Sequence, residues 1–267
     1  MTVELNKEQK DVIDHKDGPV LVLAGPGTGK TMTIIERVEK LVDGFPVGGV
    51  DPKKILCITF TEKATGEMKL RLEKKGNTTT VVSTFHAFCR EICSDNFIKS
   101  GLSDSSKLMK ETSLQVWCLK NFDSFGIDPN VIDTGKNLAR VTKGMVQALS
   151  NFKESLISSE KFQEWLDAQD EKISKYTPQE AKAHKELISY VELHQEFNKV
   201  YSAYEKFQQE KEIFDFDDMI LKAINLLKKD VSVLENYQKK YDYILVDEFQ
   251  DNNYSQFEVV RLLGGHG

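Results

Sequence analysis

The feature that most constrains the fold of this chain is a glycine-rich segment, Ala24-Gly25-Pro26-Gly27-Thr28-Gly29-Lys30-Thr31. An apolar run at residues 20–24 precedes it, and apolar residues at helical spacing follow over residues 30–41. Glycines at such a turn let backbone N–H groups close around a phosphate, and the start of a helix adds its dipole. The pattern [A/G]-x4-G-K-[S/T] therefore predicts a P-loop between a strand and a helix.

Two side chains of the P-loop carry the chemistry of a nucleotide site. Lys30 is predicted to reach the β- and γ-phosphates of ATP, and the Thr31 hydroxyl is predicted to hold Mg²⁺. The backbone of the loop is predicted to surround the phosphates. The predicted ATP-binding residues of this segment are Ala24, Gly25, Pro26, Gly27, Thr28, Gly29, Lys30 and Thr31.

A second segment supplies acidic groups. Residues 243–246 are an apolar run that ends in Asp247 and Glu248, which is the Walker B arrangement. A parallel strand would deliver Asp247 to the sheet edge beside the P-loop, where it can hold Mg²⁺ through water. Glu248 would then orient or deprotonate the attacking water. We therefore predict ATP as substrate, Mg²⁺ as cofactor, and Lys30, Asp247 and Glu248 as catalytic residues.

The distribution of apolar runs predicts an α/β fold with a helical insertion. Apolar runs at residues 20–24, 55–60, 80–85 and 243–247 are typical of parallel strands covered on both faces. Helical patterns at residues 30–41, 64–75 and 86–99 follow the first three runs, which predicts a doubly wound parallel sheet. Between residues 99 and 213 strand-like runs vanish, and an apolar stripe from Leu187 to Tyr204 has helical spacing. We predict one α/β domain, residues 1–98 with 214–267, and an all-helical subdomain at 99–213.

Composition limits the function classes. The chain of 267 residues is 40% hydrophobic and 29% charged, which describes a globular protein and excludes disorder. No apolar run approaches the roughly 20 residues of a membrane span. Four cysteines without ligand spacing predict buried free thiols in a reducing, cytoplasmic compartment, although Cys89 and Cys93 could be half of a zinc or iron–sulfur site. The net charge of −6 gives no global attraction for nucleic acid, so such binding would need a local basic groove.

Nearly the whole chain resembles the N-terminal half of superfamily 1 DNA helicases of the UvrD/Rep/PcrA type. Six segments carry the resemblance, in the order that the family has them. They are Leu5-Asn6-Lys7-Glu8-Gln9 (Q motif), residues 24–31 (motif I), residues 59–64 with Glu67, Met68 and Arg71 (motif Ia), Ser83-Thr84-Phe85-His86-Ala87-Phe88-Cys89, Asp215-Phe216-Asp217-Asp218, and Val246-Asp247-Glu248-Phe249-Gln250-Asp251 (motif II).

The resemblance implies a RecA-like P-loop sheet and ATP-driven 3′ to 5′ translocation on single-stranded DNA, with single strands and 3′-tailed duplexes as partners. It implies that Gln9 binds the adenine edge and that Arg37 lies near the nucleotide, although a surface arginine is an equal alternative. In the family a second RecA-like domain with arginine-bearing motifs follows motif II. Because no segment here resembles it, we expect a fragment that is nearly inactive by itself.

Single-stranded DNA is expected to contact the motif Ia region. Residues 53–75 hold seven basic residues and three acids, a local charge of +4 that would attract phosphates. Phe60 and Phe216 are candidates for stacking on bases, with core packing an equal alternative for Phe60, whereas Phe85 is predicted to be core. Glu62, where the family usually has Asn, is expected to weaken phosphate binding. The predicted DNA-binding residues are Phe60, Thr61, Lys63, Arg71, Thr84, His86 and Phe216.

Two other functions remain open from the sequence. The chain could belong to the helicase subunit of an AddA/RecB-type helicase–nuclease, which a nuclease domain far downstream would reveal. By itself it could also act as a nucleotide-gated DNA-binding module without catalysis, which multiple-turnover phosphate release would exclude.

Overall fold

The computed structural model describes residues 5–16, 18–44, 48–103, 105–133 and 137–265. The chain forms two compact units, one of Met1–Ser100 with Lys222–Gly267 and one of Gly101–Leu221. The strands are β1 (Ile55–Thr59), β2 (Val81–Thr84), β3 (Lys107–Leu108), β4 (Ile213–Phe214) and β5 (Tyr243–Val246). The α-helices are α1 (Lys7–Ile13), α2 (Lys30–Val42), α3 (Glu62–Lys74), α4 (Phe85–Asp95), α5 (Glu111–Asn121), α6 (Leu138–Glu154), α7 (Ser159–Ile173), α8 (Pro178–Ala183), α9 (Lys185–Lys211), α10 (Phe216–Lys229), α11 (Val231–Lys240) and α12 (Tyr254–Leu263).

The first unit contains a parallel sheet in the order β2-β1-β5. All five residues of the central strand β1 are buried, as expected of a strand with neighbours on both edges and helices on its faces. Side chains of α2 and α3, including Val38, Leu41 and Met68, form a core with Ile55 and Cys57 of β1. The chain is therefore a mixed α/β protein, and three of the four predicted strands are confirmed within one or two residues.

The fourth predicted strand, residues 20–24, is wrong for this structure. The segment has no strand hydrogen bonding, and Leu21 and Leu23 are 66% and 88% exposed. An apolar run predicts burial, but a strand also needs a neighbouring strand that supplies its ladder. Among the described residues, β5 pairs only with β1, and no strand pairs with residues 20–24. The P-loop is therefore preceded by a segment without regular secondary structure instead of a sheet strand.

The second unit is mainly helical. Its core contains Leu149 of α6, Leu166 of α7, and Val200, Tyr201 and Tyr204 of α9, all of which are almost fully buried. The apolar stripe predicted on α9 is confirmed as packing surface, except that Tyr190 is half exposed.

The prediction that strands vanish between residues 99 and 213 is wrong at the ends of this stretch. There β3 and β4 form a short parallel pair, with Lys107 opposite Ile213 and Leu108 opposite Phe214. Two residues per strand are too few to show an apolar pattern in the sequence. The predicted domain boundaries, after residue 98 and before residue 214, stay a prediction. Within the described parts of the chain, no helix is long and apolar enough to cross a membrane.

Candidate nucleotide site and DNA-facing surface

The P-loop turns sharply into α2 through two glycines. Gly27 and Gly29 have φ values of +74° and +87°, a left-handed conformation that side chains other than that of glycine rarely allow. Gly29 is the N-cap of α2, so the backbone N–H groups of the first helical turn lack partners within the helix. The Thr28 hydroxyl donates to the Gly25 carbonyl at 2.8 Å and closes the loop. The result is a loop suited to an anion at the start of α2.

Gln9 links the first helix to the P-loop. Its Oε1 accepts from the Asn6 N–H, and Asn6 Oδ1 accepts from the Gln9 N–H, so that the two residues form a capping box at the start of α1. The other end of the Gln9 amide donates from Nε2 to the Thr28 carbonyl at 3.0 Å. The residue predicted to bind adenine therefore lies against the P-loop, and adenine binding by Gln9 stays a prediction.

The P-loop and the Walker B segment converge although 216 residues separate Thr31 from Asp247. The Thr31 hydroxyl donates to Asp247 Oδ2 at 2.8 Å, and Lys30 Nζ lies 3.7 Å from Glu248 Oε2. Lys30 Nζ also lies 3.4 Å and 3.5 Å from the carbonyl oxygens of Ala24 and Gly25. The Lys30 ammonium is thus surrounded by oxygen atoms of the P-loop backbone and of Glu248.

The sheet fixes the two acids in different environments. The Asp247 N–H donates to the Ile58 carbonyl at 2.9 Å, which extends the β1–β5 ladder, and Asp247 is only 6% exposed. Glu248 leaves the strand in a left-handed conformation, with φ at +52°, and its side chain is 41% exposed. The turn therefore buries one carboxylate and presents the next to solvent beside Lys30.

The oxygen atoms at this site fit Mg²⁺. A hydroxyl and a carboxylate are hard ligands of the kind that Mg²⁺ takes, with water and phosphate oxygens completing its shell. The Thr31 hydroxyl and the Asp247 carboxylate are within hydrogen-bond distance of each other and would hold such an ion, directly or through water. No group of three or more His, Cys, Asp or Glu side chains that could hold a metal occurs in the described ranges. One or two protein ligands suit a metal that arrives with a nucleotide.

Arg37 has a different environment from either sequence expectation. It is only 5% exposed, so the surface-arginine alternative is wrong. Its Nη1 donates to the carbonyl oxygens of Val12, Ile13 and His15 at 2.8–3.2 Å, where α1 ends. Burial lowers the pKa of Arg37 below its ordinary value, with a smaller opposing effect of Tyr243. These hydrogen bonds hold α1, the helix of Gln9, against α2. They give no support to the predicted contact of Arg37 with the nucleotide.

Most of the predicted DNA contacts of the first unit follow β1 and β2 closely in the chain, whereas Arg71 lies in the third turn of α3. Phe60 is 50% exposed directly after β1, so the core alternative for this ring is wrong, whereas Phe85 is 2% exposed and belongs to the core as predicted. Thr61 caps α3 through the Ala64 N–H. The remaining predicted residues of α3 and α4 are the exposed Lys63 and Arg71 and the partly buried His86.

Thr84 and Glu62 form a contact that the sequence did not reveal. Thr84 is 5% exposed, and its hydroxyl accepts from the Ala87 N–H and donates to Glu62 Oε1 at 2.9 Å. The hydroxyl thus caps α4 and joins it to the first turn of α3, which gives no support to the phosphate contact predicted for Thr84. The signal in the sequence is the unusual acid at position 62, whose partner proves to be Thr84.

Comparisons with known proteins agree with this arrangement. The model of the UvrD/REP helicase N-terminal domain family matches residues 5–267. The chain belongs to that family. It is 33% identical to the ATP-dependent DNA helicase PcrA of Staphylococcus aureus and 32% identical to PcrA of Staphylococcus epidermidis, in both cases over 97% of this chain. The chain spans 31% of the length of each of these relatives.

The last predicted DNA residue of this UvrD/REP family member, Phe216, lies in the second unit. It is the first residue of α10 and is 52% exposed. The acids on either side of it, Asp215 and Asp217, take part in hydrogen bonds within the unit.

The four cysteines, Cys57, Cys89, Cys93 and Cys118, are buried, as predicted, and none of them forms a disulfide bond. Burial raises the pKa of Cys57 to about 12 and that of Cys93 to about 11, which keeps both protonated. A protonated thiol in an apolar setting is a poor metal ligand and a poor nucleophile. The structure gives no support to the zinc or iron–sulfur alternative for Cys89 and Cys93.

Proposed function

We propose that this chain is the ATP-binding part of an ATP-dependent DNA helicase that moves 3′ to 5′ along single-stranded DNA. One observation carries the proposal: the P-loop and the Walker B acids meet, with Thr31 bonded to Asp247 and Lys30 beside Glu248. Membership of the UvrD/REP family and the helicase names of its relatives support the extension from nucleotide binding to DNA unwinding.

Each group at the site has a distinct proposed role. Lys30 binds the β- and γ-phosphates and exchanges its carbonyl partners for phosphate oxygens. Thr31 and Asp247 would hold a Mg²⁺ ion bound with ATP, which would supply positive charge against the phosphates. Glu248 faces solvent at the edge of the site, where it can orient a water molecule and accept its proton. The backbone N–H groups from Gly25 to Thr31 surround the phosphates, and Gln9 binds the adenine edge.

The fold suits this assignment. The β2-β1-β5 sheet brings the ends of three parallel strands to one edge, and the Walker B acids lie there. We propose that this unit is RecA-like and that residues 99–213 form an inserted helical subdomain. Phe60, Thr61, Lys63 and His86 closely follow the ends of β1 and β2, so DNA contacts and nucleotide contacts would be made from neighbouring strand ends. A conformational change at the nucleotide contacts on ATP binding or hydrolysis would then shift the neighbouring DNA contacts.

The direction of movement provides the test of this function. In the intact protein that contains residues 1–267, ATP and Mg²⁺ are expected to drive separation of a short duplex with a 3′ single-stranded tail. A duplex with a 5′ tail of the same sequence serves as the control and is expected to remain paired. A gel-based unwinding assay measures both, and equal unwinding of the two substrates would contradict the proposed polarity.

The proposed DNA path predicts a specific loss of salt dependence. Charge reversal of Lys63 and Arg71 to Glu should weaken binding of a single-stranded oligonucleotide and reduce the slope of log affinity against log salt by about one to two units. Reversal of the exposed Lys161 and Lys172 on α7 changes the net charge equally and serves as the control. Fluorescence anisotropy across a salt titration measures the slope. The same slope in both double variants would place the DNA path elsewhere.

A further inference from the structure

A lysine lies on the buried face of α6. The buried residues of this helix include Met145, Val146, Leu149 and Lys153, which repeat at helical spacing along one face. Lys153 is only 3% exposed. An ammonium group taken out of water this completely costs several kcal/mol unless acids and hydrogen bonds surround it. The buried ammonium of Lys153 therefore requires partners that compensate its charge.

The partners of Lys153 are the two outer acids of the Asp-Phe-Asp-Asp segment. Its Nζ lies 2.6 Å from Asp215 Oδ2 and 2.6 Å from Asp218 Oδ1. The Tyr204 hydroxyl donates to Asp215 Oδ2 at 2.9 Å, and Gln208 Nε2 donates to Asp218 Oδ2. Burial alone would lower the pKa of Lys153, but the two carboxylates outweigh it and hold that pKa above its ordinary value. Lys153 thus remains charged and bridges both acids.

The same two acids shape the first turn of α10. The Asp218 N–H donates to Asp215 Oδ1 at 2.9 Å, and the Asp215 N–H donates to Asp218 Oδ2 at 2.8 Å. This reciprocal pair works like a capping box, so the Lys153 bridge acts directly on the groups that begin the helix. A second bond from α6 joins the same turn, because the Ser150 hydroxyl donates to Asp217 Oδ2 at 2.7 Å. Residues 215, 217 and 218 are therefore all held by side chains.

The residue left exposed within this turn is Phe216. Its ring is 52% exposed, although Asp215 and Asp218 have side chains only 13% exposed. A ring whose backbone is already fixed loses less conformational freedom on stacking against a base than a ring on a mobile segment. The hydrogen bonds from α6 to this turn reach Asp215, Asp217 and Asp218, and the half-exposed ring of Phe216 lies between these acids in the chain.

We propose that Lys153 is a positioning residue for DNA binding: through Asp215 and Asp218 it fixes the first turn of α10 so that Phe216 presents its ring to a single-stranded base. This inference rests on the proposed function, in which Phe216 is a stacking residue. It goes beyond the family resemblance, because it makes the affinity of Phe216 for a base depend on Lys153, a buried lysine on another helix. The ligand class is an unpaired nucleobase in a single strand, without sequence preference.

A double-mutant cycle in the intact protein separates positioning from general stability. The probe is a fluorescein-labelled oligothymidine, and its dissociation constant is measured by anisotropy at a temperature where every variant is folded by circular dichroism. Phe216→Ala and Lys153→Met are each expected to weaken binding by about 10-fold, within the range for loss of one stacked base. The double variant is expected to bind no more weakly than Phe216→Ala. Lys143→Met, at an exposed position of the same helix, is the control.

Different results would overturn the role of Lys153 and the proposed DNA-binding function. If Lys153→Met weakens binding equally with and without the Phe216 ring, Lys153 acts on the fold in general and the inference is overturned. Unchanged affinity in folded Lys153→Met also overturns it. If the wild-type protein does not bind the probe, the proposed function itself fails. Should Lys153→Met not fold, Ser150→Ala replaces it in the cycle, and its smaller effect is expected to vanish in the Phe216→Ala background.

Discussion

Replacement of Glu248 by glutamine is expected to lower the rate of ATP hydrolysis by about 10²–10⁴-fold while leaving Mg·ATP affinity nearly unchanged. Glutamine has the size of glutamate and can keep a hydrogen bond, but it cannot accept a proton from the attacking water. The binding groups, Lys30, Thr31 and Asp247, are separate side chains, so the substitution leaves them in place. The measurements are steady-state phosphate release by the intact protein and calorimetric titration with Mg·ATP.

Gln250→Ala is the matched control for this prediction. Gln250 Nε2 donates to Glu248 Oε2 at 2.5 Å, so its removal disturbs the neighbourhood of the acid without removing the acid. Gln250→Ala is expected to keep most of the hydrolytic rate. Hydrolysis at the wild-type rate by Glu248→Gln would exclude Glu248 as the base, and loss of nucleotide binding in that variant would show that the acid serves mainly to shape the site.

Lys153→Met is expected to lower the free energy of unfolding by about 3–5 kcal/mol. Methionine fills the space of the lysine stem, so little cavity is created, and the loss comes from two buried carboxylates without their cation. Lys153 Nζ lies 2.6 Å from an oxygen of each of these groups, Asp215 and Asp218. Urea denaturation followed by circular dichroism measures the change, with Lys143→Met expected to remain within about 0.5 kcal/mol of the wild type.

The electrostatic origin of this loss has its own test. Conversion of Asp215 and Asp218 to asparagine in the Lys153→Met background removes the uncompensated charges and should recover part of the lost stability. Asparagine also keeps an oxygen for the backbone N–H bonds at the start of α10. If the triple variant is less stable than Lys153→Met alone, the loss arises from packing and not from unpaired charge.

The P-loop and the Walker B segment were predictable because each of them is local in sequence. The P-loop needs only its glycines, Lys30 and Thr31, and the Walker B segment needs only an apolar strand that ends in Asp247 and Glu248. The alternation of strands and helices then predicted that both segments lie at one sheet edge. The structure brings Thr31 and Asp247 to 2.8 Å, which agrees with that expectation.

The differences arise where a residue depends on partners distant in sequence. Residues 20–24 have strand composition but no strand beside them in the structure. Arg37 bonds the end of α1, and Thr84 bonds Glu62. Lys153 did leave a signal, since it continues the apolar stripe of α6, but nothing in the sequence paired it with acids more than 60 residues away. Local patterns predict burial and secondary structure, but tertiary contacts decide which segments pair and which groups meet.

Calorimetric titration of Mg·ATP into the wild-type chain and into Lys30→Ala tests the central claim most directly. The claim is that Lys30 binds the phosphates in a site completed by Thr31 and Asp247. Removal of its charge-assisted bonds is expected to weaken Mg·ATP binding roughly 100-fold, or about 3 kcal/mol. Lys40→Ala, on the same helix but in an ion pair with Asp14, is expected to bind as the wild type does. Equal affinity of Lys30→Ala and the wild type would contradict the account.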